Sequence, residues 1–340
     1  MSVSFVDNAI YTKARAMHGK LLTKENYEQL LASRSVNEVA NYLKTKTAYE
    51  QALENISGTD IRRKPLETAI RKSMLDNCAS LAEYELLMGI KFYKYFVLKD
   101  EVFMILKCAN GFCDDMDYAV SPFTKKHSSI DFEKLAAADS FENIMSVLEK
   151  TDYYDILKSV SKQDENIRYL MLETSLTNYL NTELYKLTCS CFKGKEKTEI
   201  LDYLKLQADA KRVMAVYRII KSFAMDKVIA AHLFSDELTR FSETEIKKIT
   251  FADSVEELNK ILGKTVYAKG LAKYSDVPAE KVIARYLFDL SKHTLIFSQN
   301  KILVMLCYVY LAETEITKIT RLAEGIRYSL PTEEIRALID

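Results

Sequence analysis

One short stretch recurs three times in this 340-residue chain, and it limits what the chain can fold into more than any other feature. The first copy runs Ser35-Val36-Asn37-Glu38-Val39-Ala40-Asn41-Tyr42-Leu43 and continues into Lys46-Thr47-Ala48-Tyr49. The second starts at Ser140 and reaches Lys150-Thr151-Asp152-Tyr153; the third starts at Ser254 and reaches Lys264-Thr265-Val266-Tyr267. Apolar residues fall one, four and eight positions after each serine: Val36, Phe141 and Val255; Val39, Ile144 and Leu258; Leu43, Leu148 and Leu262. That spacing lays one stripe along a helix. Each serine is placed to accept an orphan N–H of the first turn, and Glu38, Asn143 and Glu257 stand where a capping box puts its third residue. The serines are 105 and 114 residues apart, so the repeat is about a third of the chain.

A second marker keeps the same period. Glu101, Asp209 and Glu315 lie 108 and 106 residues apart, each followed four residues later by Ile105, Val213 or Ile319. Two markers drifting together predict a triplicated unit, with repeats over 1–118, 119–232 and 233–340. Three alike units in a closed assembly would share a pseudo-threefold axis, a natural place for a partner. Open solenoids usually have much shorter repeats, of about 20 to 50 residues.

Only 8 glycines and 4 prolines are present, too few for a protein built on tight hairpins, so the expected class is all-α. The predicted order begins with a helix over residues 8–32 carrying Ala14, Met17, Leu21 and Leu22, then a short one through Tyr27, Leu30 and Leu31. A long helical region from Pro65 to about Asn110 follows, with Pro65 in its first turn. Residues 119–130, containing Pro122, Lys125, Lys126 and His127, form a connector. Helices over 164–192 and 199–223 are separated by a solvated turn, Lys193 to Lys197. The third unit opens its long helix at Pro278, and Pro331 starts a terminal helix with Glu333 and Glu334 at its positive end.

The 48 basic residues equal the 48 acidic ones, which removes the general attraction that draws proteins to nucleic acid. Six cysteines, Cys78, Cys108, Cys113, Cys189, Cys191 and Cys307, are scattered through helical stretches and read as reduced thiols. The N-terminal residues 1–7 lack the regions of a signal peptide. The longest apolar run, Ile302 to Ala312, is far short of the roughly 20 residues that span a bilayer. The chain is expected to be soluble, with any membrane contact peripheral.

Chemistry-bearing motifs are sparse. Gly263-Lys264-Thr265 resembles the end of a phosphate-binding loop, but Leu258 stands where that loop needs glycine. Lys46-Thr47 and Lys150-Thr151 hold the same place in the other copies, so the stretch is read as a helix terminator. His18, His127, His232 and His293 are isolated, and Cys189-x-Cys191 and Cys108-x4-Cys113 lack a second pair at zinc-site distance. Asp114, Asp115 and Asp117 lack the register of a calcium loop. The basic groups Arg62 to Lys64, Lys125-Lys126 and Lys193 to Lys197 fall in connectors, where solvation competes with contact to an anionic lipid or an acidic partner. No cofactor, metal site or catalytic residue is expected.

Beside this reading stands a family resemblance. Tyr11-Thr12-Lys13-Ala14-Arg15, Leu21-Leu22, Tyr27, Leu30 and the first capped helix with Thr47-x-Tyr49 resemble the opening of the C-type subunits of the V/A-type ATPases, relatives of the d-type subunits of the eukaryotic V-ATPase. The tail, Glu315 to Ile319, Gly325-Ile326 and Leu330-Pro331-x-Glu333-Glu334-Ile335-Arg336, is similar to the family's closing pattern. The chain departs from it after the acids. The family often has asparagine three residues on, then an apolar residue and arginine; here stand Met104-Ile105-Leu106, Arg212-Val213-Met214 and Lys318-Ile319-Thr320.

The resemblance implies a funnel-like, pseudo-threefold helical body whose central socket receives the tip of the rotor shaft. It implies a non-catalytic central-stalk subunit of a rotary ATPase, peripheral at the cytoplasmic face of the membrane. Its partners would be the shaft subunits of D and F type and the membrane proteolipid ring, so that ATP hydrolysis or synthesis is linked to proton or sodium transport. A helical scaffold for partners outside any ATPase is the alternative. Partner-interface candidates are Tyr11, Arg15, Glu101, Asp209, Glu315, Arg327 and Tyr328, each with a competing role in capping or packing.

Overall fold

The computed structural model describes residues 3–56, 63–87, 89–111, 120–221, 230, 232–274, 277 and 279–339, without the side chains of residues 3–8, 166, 279 and 280. The described residues form helices and no strand. In chain order these are α1 (Val3–His18), α2 (Lys24–Leu31), α3 (Val36–Lys46), α4 (Arg63–Leu87), a 3-10 turn at Lys91–Tyr93 and α5 (Lys94–Ala109). They continue with α6 (Pro122–His127), α7 (Phe132–Ala136), α8 (Phe141–Val147), α9 (Tyr153–Val160), α10 (Glu165–Cys191) and α11 (Gly194–Lys221). The last are α12 (Glu243–Thr250), α13 (Val255–Leu262), α14 (Ala268–Lys273), α15 (Ala279–Phe297), α16 (Lys301–Arg327) and α17 (Thr332–Ile339).

Three of these, α3, α8 and α13, are the helices that the repeated stretch predicts. Ser35, Ser140 and Ser254 adopt nearly one conformation, φ −148°, −144° and −142° with ψ 158°, 159° and 159°. Each hydroxyl oxygen accepts from the N–H three residues on, at 3.2, 3.2 and 3.1 Å. The third-position side chains reach one residue further back than a capping box requires. Glu38 accepts from Arg34 N–H at 2.7 Å and Glu257 from Asp253 N–H at 2.9 Å, while Asn143 donates its amide to Asp139 at 2.6 Å. Of the stripe, the residues four and eight after each serine are buried, and those one after it are half-buried.

The three helices also end alike. Thr47, Thr151 and Thr265 donate their hydroxyls to the carbonyls of Leu43, Leu148 and Leu262 at 2.6, 2.7 and 2.8 Å. A threonine there satisfies a carbonyl that has no partner within the helix. The Lys-Thr-x-Tyr stretch therefore terminates helices, and Gly263 sits at a helix end in ordinary right-handed geometry.

Several boundaries differ from the sequence expectation. The first helix stops at His18, and Leu21 and Leu22 lie in the connector to α2, where the Leu22 N–H has a partner outside the helix. The long region after Pro65 is broken at Gly89, whose φ of 70° only glycine adopts freely. The lysine-rich turn before α11 shrinks to Phe192 and Lys193, because Gly194 at φ 55° lets the chain reverse and start the helix at once. Cys78, Cys189, Cys191 and Cys307 are free thiols, but Cys108 is disulfide-bonded, which corrects the reading of six reduced thiols. Cys113, the acidic cluster of Asp114, Asp115 and Asp117, Arg62, the first two residues and Pro278 lie outside the described residues.

Packing divides the chain into two compact units. The first combines Met1–Gly89, Asp115–Ser128 and Thr294–Asp340; the second combines Ile90–Asp114 and Ser129–His293. The centre of the first is α16, against which α1, α3, α4 and α17 pack. Its first eleven residues after Lys301 are apolar around the whole helix, and nearly all are buried, which is how such a run is accommodated inside a protein. None of the described helices is long and apolar enough to cross a membrane. At its end α16 closes with a Schellman motif: Leu330 N–H donates to Gly325 O and Ser329 N–H to Ile326 O, with Ser329 at φ 54°. In the second unit α10 is central, flanked by α5, α9 and α11.

Candidate functional site

The two recurring markers meet. Tyr153 donates its hydroxyl to Glu101 at 2.7 Å, Tyr267 donates to Asp209 at 2.6 Å, and Tyr49 donates to Glu315 at 2.7 Å. Each acid thus holds the tyrosine of the following third of the chain, and the acid of the last third holds the tyrosine of the first. All three carboxylates are more than nine-tenths buried.

Two of the clusters carry further donors of matching kind. Glu315 also accepts from the N–H of Leu22 at 2.5 Å, just before α2. Asp209 accepts from the N–H of Arg240 at 2.9 Å, just before α12, and from the Thr239 hydroxyl at 2.7 Å. One carboxylate thereby clamps two segments, the connector entering the short helices and the tyrosine leaving the capped helix. Burial pushes Glu315 up to about 7, against the Tyr49 and Leu22 hydrogen bonds that favour its charged form. Asp209 is also raised by burial, with the Tyr267, Thr239 and Arg240 donors and the Arg212 charge opposing. The tyrosines are driven well above their ordinary range, first by burial and then by the acid each one faces.

The other expected residues divide between brace and surface. Arg15 donates from Nε to Leu295 O and from Nη2 to Ser298 O, both at 3.0 Å, holding one carbonyl in the last turn of α15 and one just beyond it, with its guanidinium 5.3 Å from the Tyr11 ring. Arg327 lies over the Tyr328 ring at 4.9 Å, and both are exposed at the end of α16. Of the seven, these two are the pair that the fold turns outward.

Sequence reasoning did not connect the acids to the tyrosines, although both recur with one period and the shared period was a usable signal. It also missed a buried cluster beside Asp209. Arg212 pairs with Asp236 and donates to Leu238 O at 2.7 Å, and Asn181 donates to Asp236 at 3.0 Å. A third omission is the two-pronged contact of Arg336 with Glu28 at 2.6 and 2.7 Å, which ties α17 to α2. No group of three or more histidine, cysteine or acidic side chains suited to a metal ion occurs among the described residues. Carboxylates occupied in this way by internal donors act as braces.

The family model described as ATP synthase (C/AC39) subunit matches residues 10–338, nearly the whole chain. The chain belongs to that family. Relatives along its length include the C-type subunit of the A-type ATP synthase of Archaeoglobus fulgidus, 24% identical over 96% of this chain and 94% of the relative. The corresponding protein of Thermococcus kodakarensis is 25% identical over 96% of this chain and 88% of its own. That of Methanosphaera stadtmanae is 22% identical, with 96% and 86% covered. Family membership fits an accessory subunit of an ATP synthase, in line with the all-helical fold and with acids committed to internal hydrogen bonds.

Proposed function

We propose that this chain is a non-catalytic central-stalk subunit of a rotary ATPase, joining the soluble shaft to the membrane proteolipid ring so that ATP chemistry is linked to proton or sodium movement. The observation that carries the reading is the family match over residues 10–338, with relatives of similar length named as C-type subunits of A-type ATP synthases. The three tyrosine–carboxylate clasps support it. Clasps that link each third to the next suit a pseudo-threefold body of repeats 1–118, 119–232 and 233–340, funnel-like around a socket for the shaft subunits of D and F type. A part that transmits torque must resist deformation, and interiors that are closely packed and internally hydrogen-bonded do so. Arg327 and Tyr328, exposed together, are the expected interface residues most available to a neighbour. The chain would work peripherally, at the cytoplasmic face.

The test is a complex purified from cells lacking this chain. ATP hydrolysis by the soluble part should continue while ion pumping into vesicles is lost, and adding the chain back should restore pumping. An assembled complex without the chain that pumps with full coupling overturns the proposal.

A further inference from the structure

The first unit contains a cleft of about 1160 Å³ bounded by α1, residues 48–56, α4 and α16. Its charged lining residues are unbalanced in a chain whose net charge is zero: Lys13, Lys20, Lys64 and Lys72 against Asp76 and Glu315. Glu315 already accepts from Tyr49 and Leu22 inside the chain, which leaves Asp76 against the four lysines of the lining. Lys20, Lys64 and Lys72 line the cleft and are exposed. Small-molecule pockets are usually about 300–1,000 Å³ and mostly apolar, so this cleft, larger and rimmed by lysines, suits a polypeptide segment better. Between apolar Ala16, Met17, Ala312 and the lysine rim, an amphipathic segment finds a partner for each of its faces.

We propose that this lysine-rimmed cleft is the docking groove for an acidic segment of a partner protein. The proposal rests on the reading that the chain works inside a multisubunit complex, and it adds which face is used and the charge of the segment received. It also gives the Tyr49–Glu315 clasp a second consequence, because that clasp forms part of the groove wall and its state is felt by the occupant.

The experiment uses the purified complex with a benzophenone amino acid at Ser73, which lines the cleft. Cross-linked peptides are identified by mass spectrometry, and binding of the full-length chain to the complex without it is measured in parallel. The expected cross-link is to a segment of another subunit with clear acidic excess. The triple variant Lys20→Glu, Lys64→Glu, Lys72→Glu should bind at least about tenfold more weakly at low salt, with the difference shrinking as salt screens the charges. The glutamine triple variant should fall between, which separates lost charge from a failure to fold. Cross-linking to a basic or neutral segment, to lipid, to this chain alone or to nothing overturns the proposal, as does an unchanged affinity of the glutamate variant. Should the chain be absent from the ATPase but cross-link through Ser73 to an acidic segment of another identified assembly, and lose it in the glutamate variant, the function fails and the groove stands.

Discussion

A single tyrosine hydroxyl donates to a buried carboxylate at each of three places. Removing it leaves the acid with one donor fewer in an apolar setting, and a hydrogen bond to a charged group contributes about 1.5–3 kcal/mol. Tyr49→Phe, Tyr153→Phe and Tyr267→Phe should each lower unfolding stability by roughly that amount in denaturant titrations. Tyr267→Phe should cost least, since Asp209 keeps Thr239 and Arg240 N–H. A different acid sets the pH response. Glu85, wholly buried near the end of α4 with neither oxygen hydrogen-bonded, is pushed by burial up to about 8, with Lys301 opposing. The folded state holds this proton after the unfolded chain has released it near 4.5. Its contribution is therefore complete below that pH and is lost as pH climbs toward 8; Glu315, at about 7, acts in the same direction. Stability should decline between about pH 5 and 8, and Glu85→Gln should flatten that decline in denaturation midpoints taken across the range. The acids of the period were legible as markers because their spacing is a property of the chain. Their burial was not, since it depends on helices brought in from distant sequence.

At the scale of elements, helix starts were easier to read than helix ends. Ser35, Ser140 and Ser254 announce themselves by a side chain placed before an apolar stripe, a local signal. The stop at His18 goes with a backbone group that finds its partner elsewhere, as Leu22 does with Glu315, and the early start at Gly194 with a left-handed φ of 55°. The junction of α16 and α17 is a close one. A Cβ on Gly325 would lie 2.8 Å from Ile335 Cγ1, a separation real atoms do not tolerate. Gly325→Ala should force α17 outward and cost about 1–3 kcal/mol, and Ile335→Ala should cost less in that background than alone. Ser329→Gly works the opposite way. Relieving a side chain of the left-handed conformation at φ 54° should stabilise by up to about 1 kcal/mol, seen as a raised midpoint in denaturant.

For the molecule as a whole, the recurrence of the capped helices and of the acids was open to reading, while the grouping into two packed units was not. Periodicity is written along the chain, but the first unit gathers segments from both ends around α16, a partnership no local pattern announces. It follows that the last helix matters far from its own position. Truncation after Ser329 removes the Arg336–Glu28 contact and the burial of Ile335 and Ile339. Calorimetry should then show the first unit melting at lower temperature while the second, which holds no residue beyond His293, keeps its transition.

The clasps also impose a timetable on synthesis. Glu101 precedes Tyr153 by 52 residues and Asp209 precedes Tyr267 by 58, so both pairs can close soon after the tyrosine leaves the ribosome. Tyr49 is made early and waits 266 residues for Glu315. Until α16 emerges, α1, α3 and α4 lack the helix at the centre of their unit, and the newborn chain passes through a stage when its first-made part waits for its last-made one.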